Sequence, residues 1–250
     1  MSLSTAKSDV LRILPMDAID SILTDRADED FFRSLSEIMK ALAMEVVLPD
    51  EQELVIVEVP RGGSWPSAIV AMMENYAHAK LATVNIGSSR DKEKSLLPDD
   101  FPIVDHYVIP DGIMATGTTM QQIVSAIRDL CKVKRGADFE PHFTLLCPVI
   151  YQHQDMSNNT LLAWIEAEKG RGNQPNVEIL TSRLEIEGQY VKFSAAGAQL
   201  CQPGEAGAVL VVGDVEVDAS GNVTKIEIGD YGGMGQQGLE NDILLRVINT

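Results

Sequence analysis

Five runs of aliphatic and β-branched residues limit what this chain can fold into: ELVIVEV (53–59), LATVNIG (81–87), VDHYVI (104–109), HFTLLCPVI (142–150) and NVEILTS (176–182). Each is nearly continuous in apolar side chains, as a strand buried on both faces requires. Helical spacing fills the gaps. EDFFRSLSEIMKALAM (29–44) has apolar residues at 32, 35, 38, 39 and 42, with Asp28, Glu29 and Asp30 favouring its N-terminal end. SAIVAMMENYAHAK (67–80), MQQIVSAIRDLCKVK (120–134, closed by Gly136) and residues 157–169 read as further helices. Strand and helix alternating in this way predict an α/β fold: an open, mostly parallel sheet with helices on both faces. Residues 88–103 are charged and contain proline, so they read as an exposed loop or hairpin.

The ends of the chain behave differently. Residues 1–24 show only weak helical turns and are expected to pack on the outside as an N-terminal extension. From about 186 to 216, short strands with Gly/Ala punctuation read as an insertion, and GAVLVVGDVEVDASGNVTKIEIGD reads as a hairpin turning at Asp218–Asn222. Residues 237–250 form a C-terminal extension of what is expected to be one domain spanning 1–250. A chain this long buries about three quarters of its unfolded surface.

Charge and cysteine usage exclude several classes. A formal charge of −17 without a large Lys/Arg cluster argues against nucleic acid and anionic lipid as partners. No apolar run is long enough to span a bilayer, and the first residues lack signal-peptide architecture, so a cytoplasmic protein is expected. Cys131, Cys147 and Cys201 are scattered without CxxC spacing, and the four histidines lack ligand spacing. Neither a disulfide framework nor a metal held by protein alone is expected.

Two loops share one design. VPRGGSW (59–65) and PDGIMATGTT (110–119) each follow an apolar strand and precede a helix. In an open parallel sheet such loops gather at the carboxyl ends of the strands, where ligands bind. Glycine lets backbone approach a ligand closely, and a helix N-terminus offers unpaired N–H groups and a favourable dipole for anions. Taken singly, each loop is also an ordinary strand-to-helix connection. Their repetition, with Arg61 in one and Asp111 in the other, favours two anion-holding turns. Neither is GxGxxG or GxxxxGK[ST].

Several motifs in order resemble one family. LTDRADEDFFRSLSEIMKALAMEV is similar to the N-terminal segment, VPRGGSW to the pyrophosphate loop, IGSSRDKE to the start of a flexible hairpin, IPDGIMATGTT to a single-acid phosphoribosyl-pyrophosphate loop, and IGDYGGMG to the base-binding tail of type I phosphoribosyltransferases, nearest to the uracil-specific branch. The resemblance runs from about residue 22 to 184 and resumes near 223–236. It implies transfer of a 5-phosphoribosyl group from phosphoribosyl pyrophosphate to a nucleobase, uracil first, with release of pyrophosphate. It also implies Mg²⁺ bound mainly through the substrate's pyrophosphate, a homodimer, small-molecule substrates as partners, and a small C-terminal β-hairpin or hood region.

Roles follow from the resemblance. Asp111 would accept hydrogen bonds from the ribose hydroxyls, and Ala115, Thr116, Gly117, Thr118 and Thr119 would hold the 5′-phosphate. Arg61, Gly62 and Gly63 would hold the pyrophosphate, Arg90 would reach it from the hairpin, and Gly229 and Asp230 would lie at the base. The chain departs from the family pattern where Thr118 replaces a glycine, where Gly233 and Met234 replace an aspartate and an arginine, and where VTKI replaces an aromatic-led segment. These changes leave open a second reading, a non-catalytic binder of phosphoribosyl pyrophosphate or a nucleotide. A third is a different doubly wound enzyme.

Overall fold

The computed structural model describes residues 10–18, 29–48, 53–60, 63–85, 96–114, 117–151, 159–185, 189–194, 197–201, 208–211 and 213–228. Its central sheet is built from β1 (Leu11–Ile13), β2 (Leu54–Glu58), β3 (Lys80–Thr83), β4 (His106–Pro110), β6 (His142–Leu146) and β8 (Asn176–Thr181). They lie in the order β1-β8-β6-β4-β2-β3, and every neighbouring pair is parallel. Between them run α1 (Glu29–Met44), α2 (Ser64–Ala71), α3 (Thr118–Arg135) and α4 (Thr160–Gly170).

The strand order decides where each helix goes. From β1 to β2 and on to β3 the chain steps one way across the sheet; from β4 to β6 to β8 it steps the other way. Parallel crossovers are right-handed, so the reversal puts the two sets of helices on opposite faces. Alternate residues of each strand follow suit. Ile56, Val108, Leu146 and Leu180 share a core with Leu35, Ile38, Met39 and Leu42 of α1 and Val70 of α2. Val55, Val57, Tyr107, Ile109, Phe143, Leu145, Val177 and Ile179 share the other with Met120, Ile123 and Ile127 of α3 and Leu161 and Ile165 of α4. The expected α/β architecture with helices on both faces is the observed one.

Three strands do not stop at the edge of the main sheet. β4, β6 and β8 each break and resume as β5 (Ile113–Met114), β7 (Val149–Tyr151) and β9 (Arg183–Glu185), which form a second parallel sheet in the order β5-β7-β9. The breaks contain Asp111–Gly112, Cys147–Pro148 and Ser182. They are held by backbone bonds: Asp111 N–H donates to the Leu146 carbonyl at 2.9 Å, Cys147 N–H to Leu180 at 2.9 Å, and Ser182 N–H to Pro148 at 3.0 Å. Beyond them, β10 (Gln189–Ser194) pairs antiparallel with both β11 (Gly197–Cys201) and β12 (Ala208–Val211). The expected hairpin is formed by β13 (Gly213–Val217) and β14 (Val223–Ile228). The Asp218 carboxylate closes its turn by accepting from the backbone N–H groups of Ser220 and Asn222.

Two local expectations are corrected. Residues 11–13, within a stretch read as weak helical turns, are an edge strand whose partner β8 supplies the register. The helix expected over 67–80 ends at Ala71, and a separate turn of 3₁₀ helix covers Glu74–Tyr76. Tyr76 is buried there and donates its hydroxyl hydrogen to the Ala43 carbonyl at 2.8 Å, an attachment to α1 that no local pattern encodes.

Candidate functional site

The sheet order reverses between β2 and β4, because β2 neighbours both β3 and β4 while the chain departs from these strands in opposite directions. Outside the carboxyl ends of two such strands the connecting loops diverge to opposite faces and leave a crevice, the usual ligand position in an open α/β sheet. The loops at this point are the two singled out in the sequence, after β2 and after β4.

They touch. A side chain added at Gly63 would place its Cβ 2.6 Å from the Val59 carbonyl oxygen and 2.9 Å from the Pro110 carbonyl oxygen. Gly63 therefore lets the turn after β2 lie against the end of β4. Its N–H donates to Val59 at 3.1 Å, and it forms the N-cap of α2 without a side-chain cap.

The loop after β4 reaches α3 through Gly117, which sits in the left-handed region at φ 72° and ψ 3° and is likewise an N-cap with no side-chain cap. Thr118 and Thr119 are the first residues of α3, and both are exposed. Gly117 makes the tight turn, and Thr118, which stands where the resembled family has a glycine, is already in the helix. Two helices thus begin at the crevice with glycine caps, each presenting first-turn N–H groups of the kind that hold anions.

Asp111 lies in the break between β4 and β5, beside this crevice. Some surface of the residue is accessible, but the carboxyl is set deep among protein atoms. Desolvation pushes its pKa up to about 7, against the smaller opposing effect of a backbone hydrogen bond from Gly112. A buried carboxyl with a strongly raised pKa is a candidate for a functional position. The Cys147 thiol occupies the adjacent break, and burial together with the Asp111 charge pushes its pKa well up. It behaves there as a small neutral group.

The structure thus sets Gly63 against Pro110, the neighbour of Asp111, and places Gly117, Thr118 and Thr119 at the start of the helix that follows the same loop. The other expected site residues, Arg61, Gly62, Arg90, Ala115, Thr116, Gly229 and Asp230, lie outside the described residues. Among the described residues no group of three His, Cys, Asp or Glu side chains could hold a metal ion.

No protein-family model matches the chain, and no curated protein matches it. Solved structures similar to it include an orotate phosphoribosyltransferase from Aeropyrum pernix, with 18% identity over 63% of this chain and 73% of that one, at a TM-score of 0.40. A phosphoribosyltransferase from Corynebacterium diphtheriae is 12% identical over 69% and 98% of the two chains, with a TM-score of 0.42. A Helicobacter pylori xanthine-guanine-hypoxanthine phosphoribosyltransferase is 12% identical over 65% and 87%, with a TM-score of 0.36. At such scores the likeness carries no weight for this chain's activity. The fold rests on its own strand order.

Sequence reasoning missed the neighbours of the α3 turn. Asn159, the N-cap of α4, accepts the Leu162 N–H at 3.2 Å. It is 4% exposed, and its side-chain oxygen stands 2.5 Å from where a Gly117 Cβ would be. The Thr118 and Thr160 hydroxyl oxygens are 3.1 Å apart. Asparagine ahead of a helical segment is a legible cap signal. Its contact with a loop more than forty residues away is not.

Proposed function

We propose that the protein is a phosphoribosyltransferase, transferring the 5-phosphoribosyl group from phosphoribosyl pyrophosphate to a nucleobase, with uracil the first candidate. The observation that carries this reading is the buried, uncommonly basic Asp111 carboxyl at the sheet's switch point, flanked by two glycine-capped helix N-termini. That layout suits a ligand with anionic groups at two places and a polyhydroxylated centre between them.

In the reaction, the bond from ribose C1 to the pyrophosphate oxygen breaks and a bond from C1 to a ring nitrogen of the base forms, with loss of that nitrogen's proton. Positive charge gathers on the sugar ring as the leaving group gains negative charge. Catalysis of such a step comes from positioning and charge stabilisation. Asp111 accepts hydrogen bonds from the ribose hydroxyls and stands near the developing cation. The turn from Ala115 to Thr119 holds the 5′-phosphate, while Arg61, Gly62 and Gly63 hold the pyrophosphate. Arg90 adds a further positive charge, and Gly229 and Asp230 contact the base. When bound, Mg²⁺ neutralises pyrophosphate charge. On this reading the ion is carried mainly by the substrate's own pyrophosphate oxygens, with the Asp111 carboxylate nearby.

Gly233 and Met234, standing where the resembled family has a carboxylate and a cation, favour a second reading in which the protein binds phosphoribosyl pyrophosphate or a nucleotide without turnover. The discriminating experiment supplies phosphoribosyl pyrophosphate and Mg²⁺ with a panel of pyrimidines and purines and measures pyrophosphate release. Turnover with at least one base is expected. Saturable binding without product selects the second reading, and neither binding nor turnover by folded protein rejects both.

A further inference from the structure

Asn159 touches both ends of the small-residue loop. Its Nδ2 donates to Met114 Sδ at 3.6 Å. Its Oδ1 lies so close to Gly117 that a side chain there would stand 2.5 Å away. The same Oδ1 caps α4 through the Leu162 N–H, and the next residue, Thr160, meets Thr118 across 3.1 Å. One buried amide therefore meets Met114 and stands beside Gly117 while fixing the start of the neighbouring helix.

An ordinary cap needs only the bond to Leu162. The additional contacts join α4 to the left-handed turn that begins α3, and they bring two helix N-termini side by side. Their dipoles point the same way there, and each favours negative charge. We propose that Asn159 is a positioning residue for the anion-holding turn, keeping Gly117 in its left-handed conformation and setting the α4 N-terminus beside the bound phosphate. This rests on the proposed reading of the loop after β4 as the 5′-phosphate turn.

Asn159→Asp keeps the cap and tests whether this side chain stands beside the phosphate, and Asn159→Ser tests positioning. Aspartate caps a helix as well as asparagine does and has nearly the same shape, so the fold is expected to persist, with a melting temperature within about 3 °C of wild type. Its charge, however, falls against Gly117 and faces the phosphate. Calorimetric titration of ribose 5-phosphate into the full chain should then show binding weakened by about tenfold or more, through like-charge repulsion at short range. Asn159→Ser keeps a short cap but gives up the reach to Met114 and Gly117, and it should weaken binding by about threefold. If folded Asn159→Asp binds ribose 5-phosphate within twofold of wild type, Asn159 is only a cap and the proposal is overturned. If the aspartate variant does not fold, the serine variant decides: wild-type affinity overturns the proposal, and weakened binding by a folded protein supports it. If wild type itself binds no ribose 5-phosphate, the phosphoribosyl reading fails, and this proposal with it.

Discussion

Asp111→Asn should stabilise the protein at alkaline pH and leave it unchanged in acid. The carboxyl titrates near 3.8 when exposed and is raised to about 7 in the folded chain, chiefly because burial disfavours its charged form. A raised acid binds its proton more tightly in the folded state. Its contribution to stability is therefore fully present below about 3.8, is lost progressively as pH rises, and is gone above about 7. The gap of about three pH units, at about 1.4 kcal/mol each, sets an upper value of about 4 kcal/mol for the strain of the ionised group at pH 8. Asparagine keeps the shape, keeps an acceptor for the Gly112 N–H and carries no charge. Urea unfolding of wild type and variant at pH 3 and pH 8, one below and one above both values, measures the difference. Equal midpoints at the lower pH and a higher midpoint for the variant at pH 8 are expected, with the slope unchanged. Loss of stability in the variant at pH 8 would mean that the carboxylate is a structural anchor, and the argument that Asp111 is held for a ligand would fall.

Three further outcomes follow from particular contacts. Gly63→Ala forces a methyl against backbone atoms of two strands, which at the upper end of overpacking costs about 3 kcal/mol and lowers the melting temperature by about 6–12 °C; Gly170→Ala, with open space around it, is the control that should not fall. His106, buried beside Thr144 and His142, has its pKa lowered to about 4, by desolvation first and then by the His142 charge. Its contribution is present above about 6.5 and lost as pH falls through about 4, so His106→Gln should flatten the acid limb of a stability–pH curve. Arg128, 4% exposed, pairs with Glu168 at 2.8 Å and with Glu140. Arg128→Ala should cost about 3 kcal/mol by thermal unfolding, at the low end for a broken buried pair, because Arg171 and Asn173 remain on Glu168.

The main sheet was legible because its strands are apolar on both faces: Val55, Ile56 and Val57 supply both cores in turn. The two loops were legible because one design, a glycine-bearing turn between an apolar strand and a helix, occurs twice, with Arg61 in one and Asp111 in the other. Three features lay beyond the sequence because long-range partners create them. The Leu11–Ile13 strand exists only through pairing with β8, the break after α2 follows from the anchoring of Tyr76 on α1, and the second sheet depends on three separate strands breaking in register. At the site, the pattern of small residues marked the turn but not which residue is left-handed. Asn159, whose oxygen lies 2.5 Å from where a Gly117 Cβ would stand, comes from more than forty residues further along the chain.

On the proposed reading, the crevice at the β2–β4 switch point holds phosphoribosyl pyrophosphate around Asp111. Calorimetric titration of that compound with Mg²⁺ into the folded full chain tests it most directly. Saturable binding of one molecule per chain is expected, weakened at least tenfold in Asp111→Asn. The absence of any binding by folded wild-type protein, or binding that Asp111→Asn leaves unchanged, would contradict it.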